Sequence, residues 1–491
     1  MTGLLDWLSS LFVFTIGLIA LALVVLFIID RSQTADAIRH NYPVIGRLRY
    51  LFTELGEFFR QYFFAMDREE MPFNRAQRDW VHEAAKDKAT NVPFGSTKHL
   101  DPVGTPIFVN CPWPTLEKDA VASAPMTVGE GSARQPYHAP SFFNISGMSY
   151  GSISKPAVRA LSQGAAAAQC WMNTGEGGLS EYHLEGGCDV VFQIGTAKYG
   201  VRDEDGNLSD KKLREVAEHA QVRMFEIKLA QGAKPGKGGI LPATKVNEEI
   251  AGIRGIKPNT ASISPNRHTD IGSTEELLDM IAHIREVTGK PVGFKTVIGA
   301  YGWLDELFTA VNARGKECAP DFITIDGGDG GTGAAPLPLI DNVGLTLREA
   351  LPMLVDIRDK HGLKDRIRII ASGKLITPGD VAWAICAGAD FAISARGFMF
   401  ALGCIQAMRC NKNTCPTGIT TNDPNLQDGL DPSVKSVRVA NFVEQMRKEV
   451  GMIAHSVGVK SPRQMKRFHV RIVGADGRSR SLDELYPPVA A

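Results

Sequence analysis

Phe322-Ile-Thr-Ile-Asp326-Gly-Gly-Asp-Gly-Gly-Thr-Gly333 is a short apolar, β-branched run that ends on an aspartate and passes into glycine. A run that is apolar at successive positions reads as a strand buried on both faces, the habit of parallel sheets covered by helices. The glycines that follow carry no Cβ, so their backbone N–H groups can approach a ligand closely. Similar runs lie on either side, at residues 142–146, 170–174, 224–229, 261–265, 291–297, 367–372 and 391–396. Amphipathic stretches at 275–287, 304–314, 347–361 and 380–388 separate several of them. Eight buried strands alternating with covering helices predict an α/β fold, a closed (β/α)8 TIM barrel over residues 140–460, with an open doubly wound sheet as the other arrangement of the same parts. The segment 179–222 is too long for a plain connection and is expected to insert extra structure, including a strand over 189–194 beside the second barrel strand.

The 491 residues carry 22% charged and 44% hydrophobic side chains, an ordinary folded composition. Lys+Arg and Asp+Glu both total 54, so the charge balance gives no reason to expect a nucleic acid partner. One stretch departs from the average: residues 7–29 carry no charge. As a helix they would extend about 34 Å, enough to cross a hydrocarbon layer of roughly 30 Å. A signal peptide is the rival, but no basic residue precedes the stretch and no small-x-small cleavage site follows it. Residues 1–30 are therefore expected to be a retained transmembrane anchor. Arg31, Arg39, Arg47 and Arg49 follow the stretch and only Asp6 is charged before it, which predicts an outward N-terminus and a cytoplasmic barrel.

Residues 31–139 are expected to form a juxtamembrane helix and a wrapping segment with a few short strands. Within it, 47–64 mixes arginines with leucines and aromatics at helical spacing, which suits either the lipid headgroup region or a stripe packed on the main domain. Residues 461–491 read as a C-terminal tail.

Function-bearing residues gather at the C-terminal ends of the expected strands, where barrels of this kind keep their reacting groups. The first strand runs into Gly147-Met148-Ser149, and the second into Gly175-Glu176-Gly177. The 224–229 strand contains Lys228 and is followed by Gln231 and Lys234, while the fifth carries Lys295. The sixth delivers Gly330, Gly331, Thr332 and Gly333, and the last two end on Gly373-Lys374 and Arg396-Gly397. Flavin mononucleotide fits these demands: a phosphate on the last two loops, the ring across the mouth, and Lys295 facing negative charge on the reduced ring.

Cys404, Cys410 and Cys415-Pro416 crowd into twelve residues of a chain otherwise sparing with cysteine. Such density is typical of iron–sulfur ligation, and three ligands suggest a three-iron cluster. Zinc fits the spacing badly, and buried inert thiols are the plain alternative. Cys111, Cys170, Cys188, Cys318 and Cys386 are scattered, as in a reducing compartment.

The blocks 147–154, 174–178, 226–236, 263–265 and 326–333 and the cysteine run ending Cys415-Pro-Thr-Gly418 together resemble the FMN-binding synthase domain of glutamate synthase. The resemblance implies FMN, a [3Fe-4S] cluster on Cys404, Cys410 and Cys415, and reduction of the imine formed from 2-oxoglutarate and ammonia. It further implies Lys234 and Arg254 as carboxylate-holding cations with Lys228 and Gln231 beside them, Glu176 as a proton shuttle or ammonia-positioning group, and Met148, Ser149, Gln193 and Lys295 as flavin contacts. Catalytic roles then fall to Glu176, Lys228 and Lys234.

Three departures stand out. A membrane stretch occupies the place of the family's glutaminase domain, so ammonia is expected to come from elsewhere, and the C-terminal β-helix domain is not expected. Ile240 replaces a substrate-binding glutamine, and 265–268 replaces a more proline- and histidine-rich stretch. An N-methylglutamate synthase-like activity using methylamine is the near alternative. A membrane-tethered electron-relay subunit is the non-enzymatic one. The sequence offers no Gly-x-Gly-x-x-Gly after a strand, so ferredoxin or another protein is the expected electron donor. An oligomer is compatible with all of this.

Overall fold

The fold is that of a computed structural model, which describes residues 2–488. Its barrel strands are β1 (Phe143–Ile145), β2 (Met172–Asn173), β3 (Val190–Ile194), β4 (Val222–Lys228), β5 (Val292–Thr296), β6 (Phe322–Asp326), β7 (Arg368–Ser372) and β8 (Phe391–Ser394). All pair in parallel, and β8 closes on β1, so the expected TIM barrel is present. Two strand assignments change. Val190–Ile194 is the third barrel strand rather than part of an insertion. The 261–265 run lies outside the barrel: Ser262–Ile263 pairs antiparallel with Ile240–Leu241 in a two-stranded ribbon between β4 and β5. The physical reason is visible in the residues. Val190-Val-Phe-Gln-Ile194 is buried at every position, whereas Ile263 is 67% exposed and Pro265 follows two residues later.

Strand register sets the site. Lys228 on β4 stands opposite Lys295 on β5, Gln193 on β3 opposite Glu226 on β4, and Asp326 on β6 opposite Ser372 on β7. At the other end of the barrel, the ribbon of Met126–Val128 and Tyr137–Ala139 brings Val128, Tyr137 and Ala139 against Trp171, Met224, Phe322 and Phe391. Each large apolar side chain sealed there contributes about 1.5–3 kcal/mol. The helix Pro432–Ser456 packs on Lys155–Ala167, where Gly164 permits the contact: a Cβ would meet Val439 at 2.5 Å. The tail returns as Val470–Val473 and pairs with both Pro106–Phe108 and Ser479–Ser481.

Residues up to Ala76 form a separate compact unit. Its first helix, Thr2–Ser32, contains a span from Gly3 to Ser32 long and apolar enough to cross a membrane, a length and composition that a signal sequence can share. Near its end Asp30 is fully buried. Its carboxylate accepts from Arg39 and Arg47 at 2.7 Å each and from the Val44 N–H at 3.0 Å. Arg47 lies in the first turn of the next long helix, Ile45–Phe59, which continues through a wider turn over Arg60–Phe64.

Candidate active site

A cavity of about 1260 Å3, open mouth included, sits at the C-terminal ends of the strands. Of the residues expected there, Met148, Ser149, Glu176, Gln193, Lys228, Gln231, Lys234, Lys295, Gly331, Thr332, Gly333, Gly373, Lys374 and Arg396 all line it. Loops that follow different strands thus converge on one space, as the register requires.

On one side of the rim Lys228 Nζ lies 3.2 Å from Glu176 Oε2 and also donates to Gln231 Oε1, whose amide donates to Thr332 Oγ1 at 2.9 Å. Glu176 is cradled by glycine: a Cβ on Gly239 would stand 2.3 Å from its Oε1, and one on Gly195 2.6 Å from its Cβ. Burial pushes the Glu176 carboxyl up, but Lys228, Lys234 and Arg254 outweigh it and hold it below the ordinary value. Lys234 is 6% exposed, and burial lowers its ammonium despite the attraction of Glu176.

The pair on the neighbouring strand is built differently. Lys295 Nζ lies 3.2 Å from Asp326 Oδ2, which also accepts the Gly232 N–H at 2.9 Å, while Asp326 Oδ1 accepts the Ser372 hydroxyl at 2.8 Å. Burial raises the Asp326 carboxyl, and Lys295 with these donors more than offsets it, so the net direction is down. Beneath both lies a polar layer. Glu226, 1% exposed, accepts from Gln193 at 2.7 Å, Asn173 at 2.9 Å and Thr324 at 2.5 Å.

Five expected site residues lie outside the cavity lining: Gly330, Gly397, Arg254, Cys404 and Cys415. The Gly330 N–H bonds to Gly327 O and the Gly397 N–H to Ser394 Oγ, so the chain itself consumes both donors. Arg254 sits behind the Glu176 turn, donating to Ser262 Oγ at 3.0 Å and Tyr150 O at 3.3 Å. Its charge adds to those of Lys228 and Lys234 in holding the Glu176 carboxyl down. Several lining residues carried no expectation, among them Lys245, Ser394, Ile376 and Met399. Buried Lys245 donates at 3.0 Å to both Ser152 O and Cys410 O, and burial pushes it down to about 8. A charged residue inside an apolar strand, Glu226 in β4, was the one legible signal for the polar floor.

The donor set suits a flavin phosphate and ring. Lys374 and Arg396 stand just beyond the ends of β7 and β8, and Gln193 and Lys295 line the cavity from β3 and β5. Gly373 takes φ 131° and Lys374 φ 52°, so that loop adopts the left-handed backbone of a turn in which glycine is favoured. None of the eight cysteines is paired in a disulfide. Cys410 lines the cavity and receives Arg396 Nη1 at 3.8 Å, Cys404 Sγ receives the Gln406 N–H at 3.4 Å, and Cys415 lies 3.3 Å from the Thr417 hydroxyl. Burial raises the Cys415 thiol, yet donors at Thr417 and Thr420 bring it below its usual value. Among the described residues no three His, Cys, Asp or Glu side chains group closely enough to hold a single metal ion.

Residues 114–460 match the conserved region in glutamate synthase. The glutamate synthase large subunit-like protein YerD of Bacillus subtilis is 39% identical over 517 aligned residues, covering 97% of this chain and 98% of that protein. An archaeal-type glutamate synthase [NADPH] of Dehalococcoides mccartyi is 33% identical over 332 residues, and the match takes in 67% of this chain and 63% of that one. A solved mandelate oxidase with (S)-2-phenylpropionate overlaps in outline at TM-score 0.44 and 15% identity, over 82% of this chain and 91% of its own. With that conserved region running the length of the barrel, the chain belongs to the glutamate synthase family of FMN-dependent oxidoreductases.

Proposed function

We propose that this protein reduces the imine formed from a 2-oxoglutarate-like oxo acid and ammonia to an amino acid, with electrons delivered by ferredoxin or a similar protein through an iron–sulfur cluster. The observation that carries the reading is the Glu176, Lys228 and Lys234 cluster at the cavity mouth, where cations outnumber carboxylates. FMN, when bound, supplies the hydride. Lys228 and Lys234 hold the carboxylates of the oxo acid, and Arg254 adds positive charge from behind the turn. Glu176, kept ionised at neutral pH by its neighbours, receives the ammonium ion or the cationic imine nitrogen and moves its proton. Lys374 and Arg396 would hold the flavin phosphate, with Gln193 and Lys295 at the ring.

Cys404, Cys410 and Cys415 would hold a [3Fe-4S] cluster. The presence of Cys410 in the cavity lining supports electron entry there, and replacing it by serine should remove the iron while leaving flavin content unchanged. The N-terminal helix serves as a single-span anchor with the barrel in the cytoplasm.

A second reading has its own support. Ile240, 42% exposed, lines the cavity with Leu241, so the mouth has an apolar wall suited to the methyl group of methylamine. One experiment separates these readings: anaerobic purification, flavin and cluster spectra, and reoxidation of the reduced flavin on adding 2-oxoglutarate with ammonia, with methylamine, or alone. Faster reoxidation with ammonia supports synthase chemistry, and a preference for methylamine supports the N-methyl reaction. Reoxidation unaffected by either pair would remove both and leave an electron relay.

A further inference from the structure

We propose that the helix Ile45–Phe59 and its continuation to Phe64 lie in the plane of a lipid surface, with their apolar side sunk into it. The inference rests on the reading of the first helix as a membrane span. At 100° per residue, Leu48, Phe52, Leu55, Phe58, Phe59 and Phe63 fall on one side of the helix, and Arg49, Thr53, Glu57 and Arg60 on the other. The apolar side is bare: Phe52 is 65% exposed and Phe63 67%. Large contiguous apolar surface left open to water marks a docking face.

The occupant is indicated by where this helix begins. Asp30 is the first charged residue after the uncharged stretch that starts at Trp7, so it marks the end of the hydrocarbon-crossing part. It is bonded by both Arg39 and Arg47, and Arg47 belongs to the first turn of the amphipathic helix. The start of that helix is thereby tied to the end of the span, at the depth of the headgroups. Gly46 lets the turn close, since a Cβ there would stand 3.0 Å from Ile38 O. Arg49 and Arg60 stand at the edge of the polar side nearest the apolar one, where they complement anionic headgroups, and the aromatic cluster of Phe58, Phe59, Tyr62 and Phe63 suits the interfacial zone.

The test places benzoylphenylalanine singly at Phe52, Phe59, Glu54, Glu57 and Ile16 of the full chain in phosphatidylcholine–phosphatidylglycerol vesicles, and identifies photoadducts by mass spectrometry. Lipid adducts at 52 and 59 but not at 54 and 57 are expected. Adducts at 16 with none at 52 or 59 would overturn the inference while sparing the span. Cross-links from 52 and 59 to a second copy of the chain would also overturn it, in favour of a dimer face. Adducts at 52 and 59 without any at 16 would uphold it and sink the span reading, and their absence at all three positions would sink both.

Discussion

Two lysine–carboxylate pairs rise side by side from neighbouring strands with the same 3.2 Å separation, Lys295–Asp326 and Lys228–Glu176. Asp326 has each oxygen taken by a further donor, from Gly232 and from Ser372. Glu176 has Lys228 as its ion-pair partner and is otherwise walled by glycine, and Lys228 divides itself between Glu176 and Gln231. Equal distances therefore describe unequal interactions. A saturated pair holds strands together, whereas an under-coordinated one keeps hydrogen-bonding capacity for a further partner.

The largest effect should come from breaking the saturated pair. Asp326→Ala leaves Lys295 buried without its carboxylate and is expected to destabilise the barrel by about 3–5 kcal/mol, read as a lowered urea midpoint. A loss under about 1 kcal/mol would show that the pair does not bear on stability. Glu176→Gln should do the reverse. The fold should hold while imine-dependent flavin reoxidation slows by roughly 10²-fold, the usual scale for a lost proton-transfer group; unchanged reoxidation would remove Glu176 from the chemistry. Lys234→Met should raise the KM for the oxo acid by about 10-fold, the equivalent of one charge-assisted hydrogen bond, with kcat little altered. A fall in kcat at constant KM would instead assign Lys234 to the reacting centre.

The smallest effect is in pH. The folded state holds Asp326 below the ordinary carboxylate pKa of about 3.9, so the unfolded chain binds more protons as pH falls through that value. The contribution of Asp326 is complete above about pH 4 and disappears as pH drops through its lowered folded pKa. Acid titrations of stability should show this limb in the native chain and lack it in Asp326→Ala.

Much of this arrangement was legible in advance because barrel chemistry sits at strand ends, and strand ends are where apolar runs give way to glycine and charge. The sixth strand and its loop needed nothing else. The exchange of 189–194 for 261–265 shows the limit. A long helix was expected between successive strands, yet the longest helix between β2 and β3 is the four-residue Glu181–Leu184. Between β4 and β5 the chain makes a wide excursion with its own ribbon and the helix Glu248–Arg254. Continuous burial, rather than spacing, was the better guide. Gly330 and Gly397 illustrate a second limit: glycine in a loop announces an accessible N–H, but the sequence does not show whether a nearby carbonyl or serine has already taken it. Arg254 is a third, since a cation three-dimensionally behind a turn has the same sequence spacing as one in front.

Lys245 joins two loops far apart in the chain, one ammonium held between the carbonyl of Ser152 and that of Cys410. Any displacement of the loop that holds Ser152 therefore reaches the loop that carries Cys410 through this one ammonium.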